Sequence, residues 1–249
     1  MKHLTVSLSI LLVIAVAFGQ VEKTELLEQA DQLNEAKKFE AALTLLKKNE
    51  SKFSNDPEFL WRLARAYFSI GDQNQDNEEI QKENYYPGFE KAKKCVEIAP
   101  EMAEGHQYYA ILIGKIGELE GTKQKIKNSY QVKEHALRAI ELDPENDSNY
   151  HVMGRWHYSL SELSWVEKKV AEMIYSELPE ASFAEAAEFF KQAHQINPTD
   201  LRHILWLGKT YEELDKDDQA EMVWKKALSI NAVTKSDQNI KNQIKKALN

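Results

Sequence analysis

The sequence predicts an all-α fold, a solenoid of stacked helix pairs, and three observations carry the prediction. Ala, Leu, Glu, Lys and Gln dominate, with 9 glycines and 6 prolines in 249 residues and no long alternating β-branched runs. Four segments end alike, KAKKCVEIAP at Pro100, HALRAIELDP at Pro144, FKQAHQINP at Pro198 and WKKALSINA at Ala232. Each is the last turn of an amphipathic helix, usually closed by a proline that lacks the N–H needed to continue. After each stop a new helix begins with apolar and small residues at helical spacing, as in His106-x-x-Tyr109-Ala110-x-x-Ile113, Tyr150-x-x-Met153-Gly154-x-x-His157 and Ile204-x-x-Leu207-Gly208-x-x-Tyr211.

Residues 1–19 stand apart. Lys2 and His3 precede an uncharged apolar run, Leu4–Phe18, of 15 residues. A membrane span needs roughly 17–25, so the run reads as a cleaved signal peptide with small residues at Ala17 and Gly19. An uncleaved N-terminal anchor is the alternative. The chain from residue 20 to 249 then reads as one helical-repeat domain. Its punctuation resembles the tetratricopeptide repeat, a helix–turn–helix unit of about 34 residues in which a small residue lets the two helices approach closely.

A first unit over about 24–50 carries Phe39 and Ala42. The next unit, 57–100, starts at Leu60-x-x-Leu63-Ala64-x-x-Tyr67 and holds a polar insertion, Gly71–Gly88, expected to be a loop with a short helix. In 101–144 the insertion Gly117–His135 is expected to lengthen the second helix at its start. Unit 145–198 is the longest, because Pro144 and Pro198 lie 54 residues apart against 43 and 44 for the preceding intervals. Its extra stretch places Leu160, Leu163, Val166, Val170, Ile174 and Leu178 three or four apart, so it is helical with one buried side. Ser164-x-x-Glu167 has the form of a capping box, predicting a break near 161–164 and an added helix from Trp165 to about Ser176. Ser182-x-x-Glu185 does the same for the following helix. Unit 199–232 is regular, and 236–249, with Ile240, Ile244 and Leu248 four apart, reads as a helix capping the open end.

The insertion carries a more specific resemblance than the repeat. Lys133-Glu134-His135, Ala139 to Pro144 (AIELDP), Gly154-Arg155-Trp156 and Leu163 to Ala171 (LSWVEKKVA) are similar to the central block of the regulator of microtubule dynamics family, and the likeness extends over roughly 55–235. The resemblance implies a non-enzymatic helical protein that associates with a protein partner, microtubules or tubulin in particular. It also implies a second possibility, because a family member's repeat domain binds phospholipid. The N-terminus differs from members in which an anchor is followed by a long linker.

In a solenoid of this type the first helix of each unit lines the concave face. Its inward positions here are Trp61, Arg65 and Phe68, then Gln107, Ile111 and Lys115, then His151, Arg155 and Tyr158, and last Arg202, Leu205 and Lys209. Cations and aromatics gathered there suit an acidic or amphipathic ligand, such as a carboxylate cluster of a peptide or a lipid phosphate. The plainer reading is that exposed helix positions are often Lys or Arg, and Glu104, Glu212 and Glu213 share the face.

Other classes find little support. A net charge of −8 disfavours nucleic acid as a partner. No HExxH, nucleophile elbow or phosphate-cradling loop occurs, so neither a metal, a cofactor nor catalysis is expected. The single cysteine, Cys95, occupies a small-residue packing slot. Asn49 and Asn146 begin Asn-x-Ser triplets, possible glycosylation sites if the chain is secreted.

Overall fold

The computed structural model describes residues 20–174 and 179–249, and among them all regular structure is helical. The leader expected over residues 1–19 lies outside them. Residues 20–35 form α1. There follow α2 (Phe39–Phe53), α3 (Pro57–Gln73), α4 (Glu78–Ile98), α5 (Ala103–Glu120), α6 (Thr122–Leu142), α7 (Asp147–Ser161), α8 (Trp165–Ile174), α9 (Phe183–Ile196), α10 (Leu201–Glu212), α11 (Asp217–Ala227) and α12 (Lys235–Ala247).

Helix ends fall where local chemistry puts them. Asp56, Asn77, Asn146, Ser182, Asp200 and Thr234 stand at N-caps, and each side chain accepts a bond from a backbone N–H of the first turn. Pro100, Pro144 and Pro198 each follow a helix C-terminus by two residues. Consecutive helices pack as neighbours, α3 on α4, α5 on α6, α7 on α9 and α10 on α11, with the second helix of each pair lying on the first of the next. Small residues set the spacing. A Cβ added to Gly154 would lie 2.6 Å from the ring of Phe190, and one added to Gly208 would overlap the indole of Trp224.

The three insertions resolve differently. Gly71–Gly88 is no loop with a short helix. It extends α3 to Gln73 and starts α4 at Glu78, leaving a turn at 74–77. Asn77 caps α4, and Tyr85, 2 % exposed, packs against Gly71, so a polar stretch of good helix formers gains a buried anchor. The second insertion is helical as expected, broken only at Gly121, whose φ of +87° is a conformation glycine adopts freely. The third gives the expected break and α8, whose capping box is present: the Ser164 N–H donates to Glu167 Oε2 at 2.8 Å. Helix α8 packs on α6 rather than between α7 and α9. Leu163 and Ala171 are buried, but Val166 of the expected apolar stripe is 62 % exposed and Trp165 is 73 % exposed. The stripe turns outward there because, among the described residues, α8 touches a single neighbouring helix. The side chains of Val170, Ile174 and Leu178 lie outside the described ones.

Helix α12 does more than cap. Ile240 and Ile244 bury against α10 and α11, and its first residues reach back across the concave side to α3. The Ser236 N–H donates to Gln73 Oε1 at 3.2 Å, and Lys235 Nζ lies 3.5 Å from Asp76.

Buried histidines add a pH dependence. His106 Nδ1 lies 2.8 Å from His135 Nδ1, so one ring donates and the other accepts, and two protonated rings cannot share the contact. Burial, and then the His106 charge, lowers His135 to about 4, and burial also lowers His151, His157 and His194. Between pH 6.5 and 4 the unfolded chain therefore binds protons that the folded chain refuses, and stability falls as pH falls. Acidification from pH 7 to 5 is expected to cost on the order of 1 kcal/mol through His135, whose ring solvent partly screens. Urea midpoints measured across that range check it, and a flat profile contradicts it.

Candidate ligand-binding cavity

The first helices α3, α5, α7 and α10, with the first half of α6, turn one side toward a cavity of about 230 Å³, which α12 borders from across the groove. Of the inward residues expected from sequence, Phe68, Ile111, Lys115, His151, Arg155, Arg202 and Leu205 line it together. Trp61, Arg65, Gln107, Tyr158 and Lys209 do not. Each of these five is engaged elsewhere. Trp61 is 8 % exposed and donates to Glu58 Oε2, with the Arg62 and Arg65 guanidiniums over its ring. Arg65 binds Asp31 of α1 at 2.5 Å. Gln107 donates to Asn146 Oδ1 at 3.1 Å, so the capping residue of α7 also ties two units together. Tyr158 packs edge-on against Phe183 and Trp206. Lys209 lies over Trp206 and donates to Gln243 of α12 at 3.3 Å. Burial, and then Arg155, lowers its ammonium pKa.

The cavity wall has two faces. Phe68, Ile111, Leu205, Trp206, Leu160 and Ile240 supply an apolar one. Lys115, Lys125, Arg155 and Arg202 supply four cations against two acids, Asp72 and Glu118. Glu118, absent from the inward residues expected from sequence, organises the polar face. Its carboxylate binds Lys115 at 3.1 Å and Arg155 at 2.5 Å. Burial opposes its ionisation, yet Lys115 and Arg155 outweigh burial and bring its pKa to about 2. The Arg155 guanidinium also stacks on Trp206 at 3.7 Å, and its Nε is buried with no hydrogen-bond partner among the described residues. Arg155 thus faces the cavity pre-organised by an acid below and an aromatic beside it.

A second network meets the wall at the unit boundary. Arg202 grips Asp200 through Nε and a terminal nitrogen, and its other bond reaches Ser148 Oγ at 3.4 Å. Despite the cost of burying it, Arg202 holds the Asp200 carboxyl well below its usual range. His203, fully buried, bridges Asp147 Oδ2 at 2.7 Å and His151 Nδ1 at 3.0 Å. Asp147, Asp200 and His203 are the described residues whose donor atoms converge closely enough for a cation, but Arg202 already supplies the positive charge there. The set reads as a structural clasp between α7 and α10.

Sequence spacing could have found Glu118, since it lies three residues after Lys115 on the same helix face. No sequence signal points to Ser236, Ile240 or Gln243 of α12 as cavity residues, because their place depends on how the whole solenoid curves. Asn49 donates to the Leu45 carbonyl within α2.

Residues 26–249 match the sequence profile described as regulator of microtubule dynamics protein 1-3. Among curated relatives, regulator of microtubule dynamics protein 1 of Bos taurus is 37 % identical over 89 % of this chain and 70 % of its own length. The protein of the same name from Mus musculus is 35 % identical over 92 % of this chain and 75 % of its own. Regulator of microtubule dynamics protein 3 of Bos taurus is 35 % identical over 88 % of this chain and 47 % of its own. Among solved structures, a thermophilic TPR protein of Thermus thermophilus superposes with a TM-score of 0.63 at 20 % identity, over 90 % of this chain and 98 % of that one. A MamA protein gives 0.50 at 20 % identity, over 88 % of this chain and 93 % of that one. At such identities the structural likeness speaks for the fold, a tetratricopeptide-like solenoid. Among the described residues no helix is long and apolar enough to cross a membrane.

Proposed function

The chain belongs to the regulator of microtubule dynamics family, and from that premise we propose that it is a non-catalytic interaction protein that binds an acidic segment of a protein partner in its concave cavity. Microtubules are the partner that the relatives' name suggests, with an acidic stretch of tubulin as the bound element. The observation that carries the reading is the cavity wall, where four cations face two acids in a chain of net charge −8. The apolar face beside them suits an aliphatic or aromatic side chain interspersed among the acids.

Co-sedimentation of the purified protein with assembled microtubules tests it. Binding that falls as salt rises supports the reading, because surface electrostatic attraction weakens with screening. No co-sedimentation at low salt overturns the microtubule partner.

A second reading has its own observation. Helix α12 crosses the groove to reach α3 and borders the cavity, whose cationic and apolar faces also suit a phospholipid headgroup with part of its tails. Native mass spectrometry after purification separates the two. Co-purified phospholipid favours this reading, and an empty protein that still co-sediments favours the first.

A further inference from the structure

The attachment of α12 to the rest of the solenoid is uneven in kind. Toward α10 and α11 it is chiefly apolar, with Ile244 fully buried and Ile240 6 % exposed, beside hydrogen bonds from Lys209 to Gln243 and from Lys241 to the Leu228 carbonyl. Toward α3 polar contacts hold it: the Ser236 N–H to Gln73 Oε1 at 3.2 Å, Ser236 Oγ to Asp72 Oδ2 at 3.4 Å, and Lys235 Nζ to Asp76 Oδ1 at 3.5 Å. The Lys235–Asp76 pair is more than half exposed on both sides, where ion pairs contribute little. The two Ser236 hydrogen bonds are long, and their net contribution is small because water replaces them when they break.

The same helix supplies Ser236, Ile240 and Gln243 to the cavity wall facing Phe68 and Ile111. Its N-terminus carries its own capping box, Thr234 with Asp237, so it stays helical when its α3 contacts are lost. The segment before it, 228–234, is not helical, and Val233 there is 72 % exposed.

We infer that α12 is a strap regulating access to the cavity: it rocks on its apolar seam with α10 and α11, parting from α3 to admit the ligand and closing over it afterwards. The inference rests on the cavity being the binding site, as proposed above. It assigns the gate to the α3–α12 junction and the hinge to 228–234. A repeat solenoid whose last helix serves only as a cap has no need of contacts with a helix more than 160 residues earlier in the chain.

Two experiments test it in the full chain. Gln73→Ala with Asp76→Asn removes two of the three tethers without touching residues that line the cavity. Spin labels on Glu79→Cys, in the first turn of α4 just after the α3–α4 turn, and Gln238→Cys in α12 then report the gap between that turn and α12 by pulsed dipolar spectroscopy. Cys95 is buried and its thiol is pushed up to about 12, so it stays unlabelled. A longer-distance population, raised roughly threefold relative to closed by the tether variant, is expected for a loss of about 0.7 kcal/mol. A single distance unmoved by the variant overturns the strap.

The second experiment joins Asp76→Cys to Lys235→Cys with a short bis-maleimide. The linked protein is expected to bind a fluorescein-labelled poly-glutamate peptide at least about tenfold more slowly than the unlinked one. Equal rates overturn the gate. If the distance shifts but the peptide binds neither form, the acidic-ligand reading fails while the strap stands.

Discussion

A protein carrying Gly208→Val is expected to lose about 3 kcal/mol of stability, the upper part of the range for overpacking a filled core. The cause is specific. A Cβ at this position overlaps the indole of Trp224, itself 2 % exposed and held by a hydrogen bond from Nε1 to the Leu205 carbonyl at 3.3 Å. Moving the ring breaks that bond and opens the α10–α11 packing, on which α12 in turn rests. At an exposed helix position the sign reverses, because replacing glycine there gains up to about 1 kcal/mol. Urea unfolding followed by circular dichroism distinguishes the cases. Adding Trp224→Leu is expected to recover part of the loss, since the smaller side chain leaves room for valine. A neutral or stabilising Gly208→Val contradicts the packing described.

Arg155→Gln and Glu118→Gln are expected to move the binding of an acidic peptide in opposite directions. Arg155→Gln removes a guanidinium already oriented by Glu118 and Trp206, and affinity falls about tenfold or more, in keeping with a charge-assisted contact. Glu118→Gln releases Lys115 and Arg155 from an internal carboxylate that competes with the ligand, and affinity rises several-fold. Calorimetric titration at low salt checks both. The opposition of sign matters because loss of fold lowers binding in either variant, whereas only electrostatic competition raises it in one. Isolated stability effects are readable separately: Arg155→Gln leaves Glu118 partly buried with Lys115 alone, so some destabilisation accompanies it.

The fold was legible in sequence because its determinants are local. Stop prolines, N-cap residues and small residues at helical spacing each act within a few positions of the chain, and α7, its break and α8 fall where Gly154, Ser164 and Trp165 place them. Two local readings went astray for tertiary reasons. The polar stretch after Gly71 gains its helical order from Tyr85 packing onto that glycine, a contact that no periodicity reveals. Val166 follows the apolar spacing yet stays exposed, because among the described residues α8 packs on α6 alone.

The candidate site was legible in part. Spacing along α5 and α7 brings Ile111, Lys115, His151 and Arg155 to one wall. Arg65 has the same register in its unit as Arg155 but is bound to Asp31 of α1, which spacing within a unit cannot foresee. The role of α12 was invisible for a different reason: its contact with α3 depends on the summed rotation of every intervening unit, not on any residue pattern.

Reception of an acidic segment in the concave cavity is the claim on which the rest depends. Photo-crosslinking a poly-glutamate peptide that carries a benzophenone at one end, followed by mass spectrometry of the adducts, tests that location most directly. The predicted result is adducts on α5 near Ile111–Lys115 and on α7 near Arg155–Ser159, diminished in Arg155→Gln. Adducts confined to the outer helices α4, α9 and α11, and unaffected by that substitution, would contradict it.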